Sequence, residues 1–271
     1  MTNKNSYRDI KPLKRFGQNY LTDKNILAKI AEEINPGNDD LIIEIGPGLG
    51  ALTRFLCDRT KNIIAVEIDR RVVDDLKSEL PDIEIINEDF LEIDLAVLSK
   101  RMNKKLRIAG NIPYNLTSPI IFKLLDNLDY VNDAVLMVQH EVAARMNGKK
   151  GTKDYGILTV ILSYFAKVEY CFKVSPNVFF PRPKVDSAVV HLHFNELLSD
   201  RKENKLFIQV VKACFGNRRK TLKNSLNNSI FGRLDFKDSG VDLSLRAEQL
   251  DLNAFIRLTQ FVREKKLESG E

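Results

Sequence analysis

The sequence predicts an α/β fold with a largely parallel sheet covered by helices on both faces, followed by a small helical domain. Short apolar segments alternate with segments of helical periodicity through the first 195 residues, whereas only helical periodicity continues after Asn204. With 44% hydrophobic and 29% charged residues, the 271-residue chain has the composition of a globular protein. We place the domain boundary between residues 1–195 and 196–271.

The N-terminal segment, residues 1–21, carries basic residues followed by the amide-rich and aromatic sequence FGQNYL, and we expect it to contact a cofactor or RNA. The basic residues nearest to this sequence are Lys11, Lys14 and Arg15. Thr22 is the predicted N-cap of a helix that runs through Ile34. The apolar positions of this helix repeat at helical spacing, so it should pack on the sheet.

The stretch 41–55 changes character three times. The apolar residues Leu41–Ile45 predict a strand, Gly46, Gly48 and Gly50 predict a tight loop, and a helical pattern follows. Glycines permit positive φ and close approach of a ligand to the backbone. Free N–H groups at the start of the helix would favour a negatively charged ligand group. The same spacing also fits the dinucleotide fingerprint G-x-G-x-x-G/A, and glycine turns also occur without any ligand.

A second predicted strand, 62–66, is followed by Glu67 and Ile68, about 20 positions after Gly46. An acidic residue at this position can accept hydrogen bonds from a ribose diol, and it would repel a 2′-phosphate. The sequence therefore predicts a cofactor that contains adenosine. From these residues alone, NAD and S-adenosylmethionine both remain open.

Further strands are predicted at 83–86, 106–109 and 134–138, and a short helix at 141–146. Ligands of open α/β sheets bind outside the carboxyl ends of the strands. At one such end, the Asp89 carboxylate could bind an adenine amine while Phe90 packs on the ring. An acidic residue at a strand end can equally serve as a helix cap.

The next strand end carries Asn111-Ile112-Pro113-Tyr114, which has a more specific chemical interpretation. An aromatic amine is a poor nucleophile because its lone pair is delocalised into the ring. The Asn111 side-chain oxygen and the Ile112 carbonyl could accept hydrogen bonds from the N–H groups of the amine and favour a pyramidal nitrogen. Pro113 would keep this backbone rigid, and Tyr114 would stack on a base taken out of its own stack. The alternative is an ordinary turn that contains proline.

Several other residue types give weaker signals. Cys57, Cys171 and Cys214 lie far apart and are interpreted as buried thiols. His191 and His193 should share one face of a half-exposed strand at 184–194, in a structural or surface role, and we expect no metal site. No apolar run approaches the roughly 18 residues of a membrane span, and the polar start lacks a signal-peptide core. We therefore expect a cytoplasmic protein.

The C-terminal residues hold most of the net charge of +5. Four basic residues, called the basic cluster below, are interpreted as facing RNA phosphates, although a solvated helix surface is the alternative. They are Arg218, Arg219, Lys220 and Lys223. We expect RNA to be held chiefly by charge, because flipping a base out requires contacts elsewhere on the RNA.

From about Lys14 to Leu226 the sequence resembles the ribosomal RNA adenine N6-dimethyltransferases of the small-subunit type. The matching segments are RFGQNYL, EIGPGLGALT, VEIDRR, EDF, GNIPYNLTSPI, VFFPRPKVDSAVV and FGNRRKTLKNSL. The resemblance implies a Rossmann-like methyltransferase sheet and S-adenosylmethionine as methyl donor. It also implies catalysis at Asn111–Tyr114, with an aromatic residue at Phe179 stacking on the target base. One departure is Tyr20, where the family usually has Phe.

The implied substrate is a pair of adjacent adenosines near the 3′ end of small-subunit ribosomal RNA, each dimethylated during ribosome biogenesis. We expect a monomer that acts on a pre-ribosomal particle. The candidate cofactor residues are Asn19, Leu21, Gly46, Gly48, Glu67, Ile68, Asp89, Phe90 and Asn111. The alternatives are an NAD dehydrogenase, which leaves Asn111–Tyr114 unused, a non-catalytic assembly factor that binds RNA, and a resistance-type methyltransferase that acts on large-subunit RNA.

Overall fold

The computed structural model describes residues 12–13, 16–195, 201–217 and 219–269, the side chains of residues 201 and 269 excepted. Lys11, Lys14, Arg15 and Arg218 lie outside the described residues. The described chain forms two compact units. The first contains the residues up to Ala143 together with Glu169–Phe194, and the second contains Ala144–Val168 and the residues from Asn195 onward. Residues 144–168 thus group with the C-terminal residues, and the functional boundary at 195 stays a prediction.

The predicted α/β fold is confirmed. A seven-stranded sheet has the order β4-β3-β2-β5-β6-β9-β7. Its strands are β2 (Leu41–Ile45), β3 (Ile63–Val66), β4 (Glu84–Ile86), β5 (Leu106–Asn111), β6 (Val131–Gln139), β7 (Ala166–Val174) and β9 (Ser187–Phe194). The strands β2 to β6 pair in parallel, and β9 is antiparallel to β6. A separate two-stranded ribbon pairs β1 (Tyr20–Leu21) with β8 (Phe179–Phe180).

Five helices precede or connect the parallel strands, and a sixth follows β6 and ends within the second unit. They are α1 (Lys24–Ile34), α2 (Ala51–Cys57), α3 (Arg70–Glu79), α4 (Leu95–Met102), α5 (Thr117–Leu125) and α6 (His140–Met146). All five residues of β2 and all four of β3 are buried, which requires cover on both faces of these strands. After β2 the chain adds β3 and β4 on one side, and β5 then returns to the other side of β2. Ligands of such sheets bind where the strand order reverses.

The predicted N-cap of α1 is wrong by one residue. The Asp23 carboxylate, and not Thr22, accepts hydrogen bonds from the first free N–H groups, at 2.8 Å from Asn25 N and 3.1 Å from Ile26 N. The Thr22 hydroxyl instead donates to the Val178 carbonyl at 2.9 Å. The prediction that this helix packs on the sheet is confirmed, because its apolar face shares a core with β2, β5 and β6.

The predicted half-exposed strand at 184–194 is also wrong in its burial and in its start. The strand begins at Ser187 and is almost completely buried, because it lies between β6 and β7. Its polar residue His191 is accommodated by a hydrogen bond of 2.7 Å to the buried Asp133. His191 and His193 share one face as predicted, with ring centroids 3.8 Å apart.

The cysteines are only partly as predicted. Cys214 is buried, whereas Cys57 and Cys171 are half-buried. The predicted strands 106–109 and 134–138 are too short, because β5 and β6 continue to Asn111 and Gln139. Within the part of the chain that the structure describes, no helix is long and apolar enough to cross a membrane.

The second unit is helical, which confirms the change of periodicity. Its helices are α7 (Ile157–Phe165), α8 (Arg201–Cys214), α9 (Leu222–Asn227) and α10 (Leu252–Ser269). Aromatic pairs hold α7, α8 and α10 together, since Tyr164 stacks on Phe207 at 4.0 Å between centroids and Phe215 stacks on Phe255 at 5.8 Å. The Tyr155 hydroxyl donates to the Leu250 carbonyl at 2.7 Å.

Candidate active site

A cavity of about 1000 Å³ opens at the carboxyl ends of the parallel strands of the first unit. Segments that follow β2, β3, β4 and β5 line it, and so does the N-terminal loop Phe16–Leu21. The predicted residues that share this cavity are Asn19, Leu21, Gly46, Gly48, Glu67, Ile68, Asp89, Phe90, Asn111, Ile112, Pro113 and Tyr114. The edge of the sheet and the N-terminal loop thus bring together every candidate cofactor residue and the four residues Asn111–Tyr114.

The glycine loop has the backbone that its sequence predicts. Gly46, Gly48 and Gly50 have φ values of 62°, 53° and 70°, which residues other than glycine rarely adopt. A Cβ at Gly48 would also lie only 2.8 Å from the ring of Tyr20. The close approach of Tyr20 and the positive φ both require glycine at position 48, so this backbone forms one wall of the cavity.

Glu67 lies directly after β3 and is buried, with 4% of its surface exposed. Its carboxylate accepts hydrogen bonds from Gly48 N at 3.1 Å and Asp69 N at 2.8 Å. Burial raises the pKa of the Glu67 carboxyl, and the two N–H donors oppose this rise. Each oxygen accepts one backbone hydrogen bond and keeps acceptor capacity for a ligand hydroxyl group.

Asp69 is a neighbour of this site that sequence analysis missed. Gln18 Nε2 donates to its carboxylate at 2.9 Å, and Arg71 Nε donates at 2.9 Å. The Arg71 guanidinium is the main reason that the pKa of Asp69 is lowered. Gln18 Oε1 also accepts from Leu13 N at 2.8 Å, so this side chain links the N-terminal loop to the end of β3. The abundance of amide groups in FGQNYL was the available signal.

Asp89 and Phe90 follow β4 and line the cavity. Asp89 Oδ1 accepts a hydrogen bond from Leu91 N at 2.9 Å and so caps the turn after β4, whereas the N-cap of the next helix is Asp94. One carboxylate oxygen therefore has a structural role, and the other is left for a ligand amine. Phe90 is 5% exposed, and the Lys123 ammonium lies 5.8 Å from its ring centroid.

Asn111 ends β5 with its side chain fixed by the N-terminal loop. Its Nδ2 donates to the Asn19 carbonyl at 2.8 Å, and because a carbonyl only accepts, the Asn111 oxygen is left as the acceptor. The Tyr114 hydroxyl shares a hydrogen bond of 2.7 Å with the Ser187 hydroxyl, and burial raises its pKa. Gly17 packs against Pro113, since a Cβ on Gly17 would lie 3.4 Å from Pro113 Cβ. The loop thus contacts Asn111–Tyr114 at two points.

Phe179 and Phe180 belong to the ribbon that sequence analysis did not predict. Phe179 lies opposite Leu21 and is 5% exposed within the core, outside the residues that line the cavity. Phe180 lies opposite Tyr20 and is 64% exposed. Directly opposed residues of an antiparallel pair share a face, so Phe180 lies on the same face of the ribbon as Tyr20, which lines the cavity. The stacking role of Phe179 stays a prediction.

Glu44 is another cavity residue that sequence analysis missed. Its carboxyl is buried within β2, where burial raises its pKa to about 7 and the nearby charge of Glu67 adds to this effect. Its Oε2 has no hydrogen-bond partner among the described residues. A glutamate inside an apolar strand was the available signal, because such a position costs free energy unless a partner is present.

The described members of the basic cluster, Arg219, Lys220 and Lys223, are exposed at the start of α9 and just before it. Exposure is compatible both with phosphate contacts and with a solvated surface, so their role stays a prediction. Among the described residues, no group of three or more His, Cys, Asp or Glu side chains is arranged to hold a metal ion.

The model of the ribosomal RNA adenine dimethylase family matches residues 11–264. The chain belongs to this family. It is 43% identical over 267 residues to ribosomal RNA small subunit methyltransferase A of Chlorobium phaeobacteroides, covering 98% of this chain and 96% of the relative. It is 41% identical over 258 residues to the protein of the same name from Francisella tularensis subsp. novicida, covering 93% and 98%.

Two solved structures share the fold. A dimethyladenosine transferase from Plasmodium falciparum matches with a TM-score of 0.75 and 27% identity, covering 90% of this chain and 98% of that one. The 23S rRNA methyltransferase ErmE matches with a TM-score of 0.64 and 30% identity, covering 89% and 98%. The Rossmann-like methyltransferase fold of this dimethylase is therefore confirmed.

Proposed function

We propose that this dimethylase uses S-adenosylmethionine to dimethylate the N6 amines of two adjacent adenosines near the 3′ end of small-subunit ribosomal RNA. One observation carries the proposal: the cavity that contains the glycine loop and the buried Glu67 also contains Asn111. The N-terminal loop binds the Asn111 amide nitrogen, which leaves the side-chain oxygen as an acceptor. The names of the 43% and 41% identical relatives support the small subunit as the source of the RNA.

The described residues fit the adenosine part of the cofactor. Glu67 presents acceptor oxygens for the ribose diol, and backbone hydrogen bonds from Gly48 and Asp69 hold these oxygens in place. Ile68, at 44% exposed, and Phe90 offer apolar surfaces for the adenine ring, and Asp89 offers an acceptor for its amine. The cofactor supplies a methyl group activated by the positive charge of its sulfonium.

The residues Asn111–Tyr114 hold and activate the target amine. In the first transfer, the Asn111 side-chain oxygen and the Ile112 carbonyl accept hydrogen bonds from the two N–H groups of the amine, which favours a pyramidal nitrogen with an available lone pair. The nitrogen then loses one proton, so one N–H group remains for these acceptors in the second transfer. Since this interaction strengthens as the nitrogen becomes positively charged, it stabilises the transition state more than the bound substrate. The hydrogen bond from Asn111 Nδ2 to the Asn19 carbonyl prevents the amide from turning its donor toward the amine.

Tyr114 and an aromatic residue of the ribbon hold the flipped base by stacking. The Tyr114 ring is fixed at its hydroxyl end by Ser187 of β9. Stacking of a base on an aromatic side chain contributes about 1–3 kcal/mol. The remaining affinity for RNA comes from phosphate contacts, to which the basic cluster contributes. The protein acts as a cytoplasmic monomer on a pre-ribosomal particle.

The test uses the purified full chain with labelled S-adenosylmethionine and protein-free ribosomal RNA or ribosomal particles from a strain that lacks the protein. We expect two adjacent dimethyladenosines near the 3′ end of the small-subunit RNA and no label in large-subunit RNA. A label confined to large-subunit RNA would instead support the alternative that the similarity to ErmE raises. Binding of the cofactor without any transfer to RNA would support an assembly factor, and a preference for NAD would overturn the cofactor assignment.

A further inference from the structure

Tyr20 carries a hydroxyl group that the fold does not use. Its oxygen is buried and has no hydrogen-bond partner among the described residues, although the side chain lines the cavity. The ring edge packs against Gly48, at the position where a Cβ would lie 2.8 Å away. Buried hydroxyl groups are usually hydrogen-bonded, and one without a partner costs free energy. A hydrogen bond from this hydroxyl to a bound ligand would offset that cost.

The surroundings of the ring indicate which part of a ligand the hydroxyl meets. Gly48 contacts both side chains, since its N–H group donates to the Glu67 carboxylate and its α-carbon packs against the Tyr20 ring. Tyr20 is therefore close to the glutamate proposed to bind the ribose diol. Burial raises the pKa of the Tyr20 phenol to about 12, and the charges of Glu67 and Asp69 add to this rise. Tyr20 therefore remains protonated and acts as a hydrogen-bond donor near neutral pH.

The chemistry of a ribose diol complements this arrangement. A ribose hydroxyl that donates its hydrogen to the Glu67 carboxylate keeps two lone pairs that can accept a hydrogen bond. The loop beside Tyr20 is held in place by Gln18 and by the pairing of β1 with β8.

We propose that the Tyr20 hydroxyl donates a hydrogen bond to a ribose oxygen of the bound cofactor, as a second ribose contact beside Glu67. This contact is a feature of this chain, because phenylalanine is usual at the position in proteins that it resembles. The inference rests on the proposed function, since the ligand is the adenosine-containing cofactor of that function.

The test compares the wild type with Tyr20→Phe by titration calorimetry, using S-adenosylhomocysteine and its 2′-deoxy and 3′-deoxy analogues. Phenylalanine keeps the ring against Gly48 and removes only the hydroxyl. We expect Tyr20→Phe to bind S-adenosylhomocysteine about 3- to 10-fold more weakly, the scale of one net hydrogen bond. The loss should disappear with the one analogue that lacks the acceptor oxygen and persist with the other.

Tyr170→Phe is the matched control, because Tyr170 is 39% exposed on β7 and does not line the cavity. Its affinities should equal those of the wild type. Equal or tighter binding by Tyr20→Phe would overturn the inference, and so would a loss of the same size with both analogues, which would indicate packing. Failure of the cofactor assignment in the proposed function is distinguishable, since the wild type itself would then not bind S-adenosylhomocysteine.

Discussion

Glu67→Gln tests the cofactor site most directly, because it preserves the size of the side chain. The glutamate accepts from Gly48 N at 3.1 Å and from Asp69 N at 2.8 Å through different oxygens. Glutamine has one acceptor oxygen, so it keeps at most one of these hydrogen bonds and turns an N–H group toward the other donor. It also removes the negative charge that a ribose diol would meet.

The expected loss is that of one charge-assisted hydrogen bond to the ligand, about 1.5–3 kcal/mol. This corresponds to S-adenosylmethionine binding that is about 10- to 150-fold weaker. Glu67→Ala should lose at least as much, because the Gly48 and Asp69 N–H groups then lack their acceptor. Calorimetric titration of the full chain measures both variants, and circular dichroism verifies that they fold.

Glu84→Gln is the control for Glu67→Gln. Glu84 lies on β4 of the same sheet and forms an ion pair with Arg101 at 2.8 Å, with both side chains 45% exposed. An exposed pair of this kind contributes little, so cofactor affinity should not change. If Glu67→Gln and Glu67→Ala bound S-adenosylmethionine as tightly as the wild type, the assignment of this sheet edge to the ribose would be wrong.

Four further predictions follow from the same geometry. Asn111→Ala should retain RNA binding but lose more than tenfold in kcat, about 1.4 kcal/mol or more in the barrier; activity within tenfold of the wild type would contradict its role. Glu44 has its pKa raised to about 7, so the folded state binds more protons than the unfolded state between about pH 4.5 and 7, and stability falls as pH rises through this window. At pH 8, the free energy of unfolding of Glu44→Gln, measured by urea denaturation, should therefore exceed that of the wild type by up to about 3 kcal/mol. At pH 4.5 the two free energies should be nearly equal. If Phe179 stacks on the base, Phe179→Leu should lose activity while Phe180→Leu does not, and the reverse result in the methylation assay would assign stacking to Phe180. Alanine at the first three residues of the basic cluster should flatten the slope of log RNA affinity against log salt by about two units, at about 0.7 per phosphate; an unchanged slope would return the cluster to a solvated surface.

The parts of the site that sequence analysis predicted are those encoded by neighbouring residues. Three glycines directly after an apolar run specify both a strand end and positive φ values, and Gly46, Gly48 and Gly50 have them. Glu67 and Asn111 follow apolar runs in the same way, and parallel strands bring their carboxyl ends to one edge. Once the elements are known, the position of each strand-end residue follows from this topology.

Contacts between residues far apart in the sequence could not be predicted from local patterns. The ribbon pairs Tyr20 with Phe180 through two-residue strands, which are too short for a periodic pattern. The burial of β9 was mispredicted because His191 and His193 give the strand the alternation of a half-exposed one. His191 is buried with Asp133 as its partner, and that partner lies on another strand. Asp23 and Thr22 are both suitable N-caps, and only the backbone decides between them.

The N-terminal loop explains how the two halves of the cavity are coupled. Within Phe16–Leu21, Gln18 donates to Asp69 at the ribose end, and the carbonyl of the next residue accepts from Asn111 at the catalytic end. One residue further on, Tyr20 packs on the glycine loop and pairs with Phe180. Because successive residues make these contacts, the loop cannot shift at one end without disturbing the other. Under the proposed function, a cofactor that fixes the loop beside Glu67 would also hold the amide of Asn111 in the orientation that presents its oxygen to the target amine.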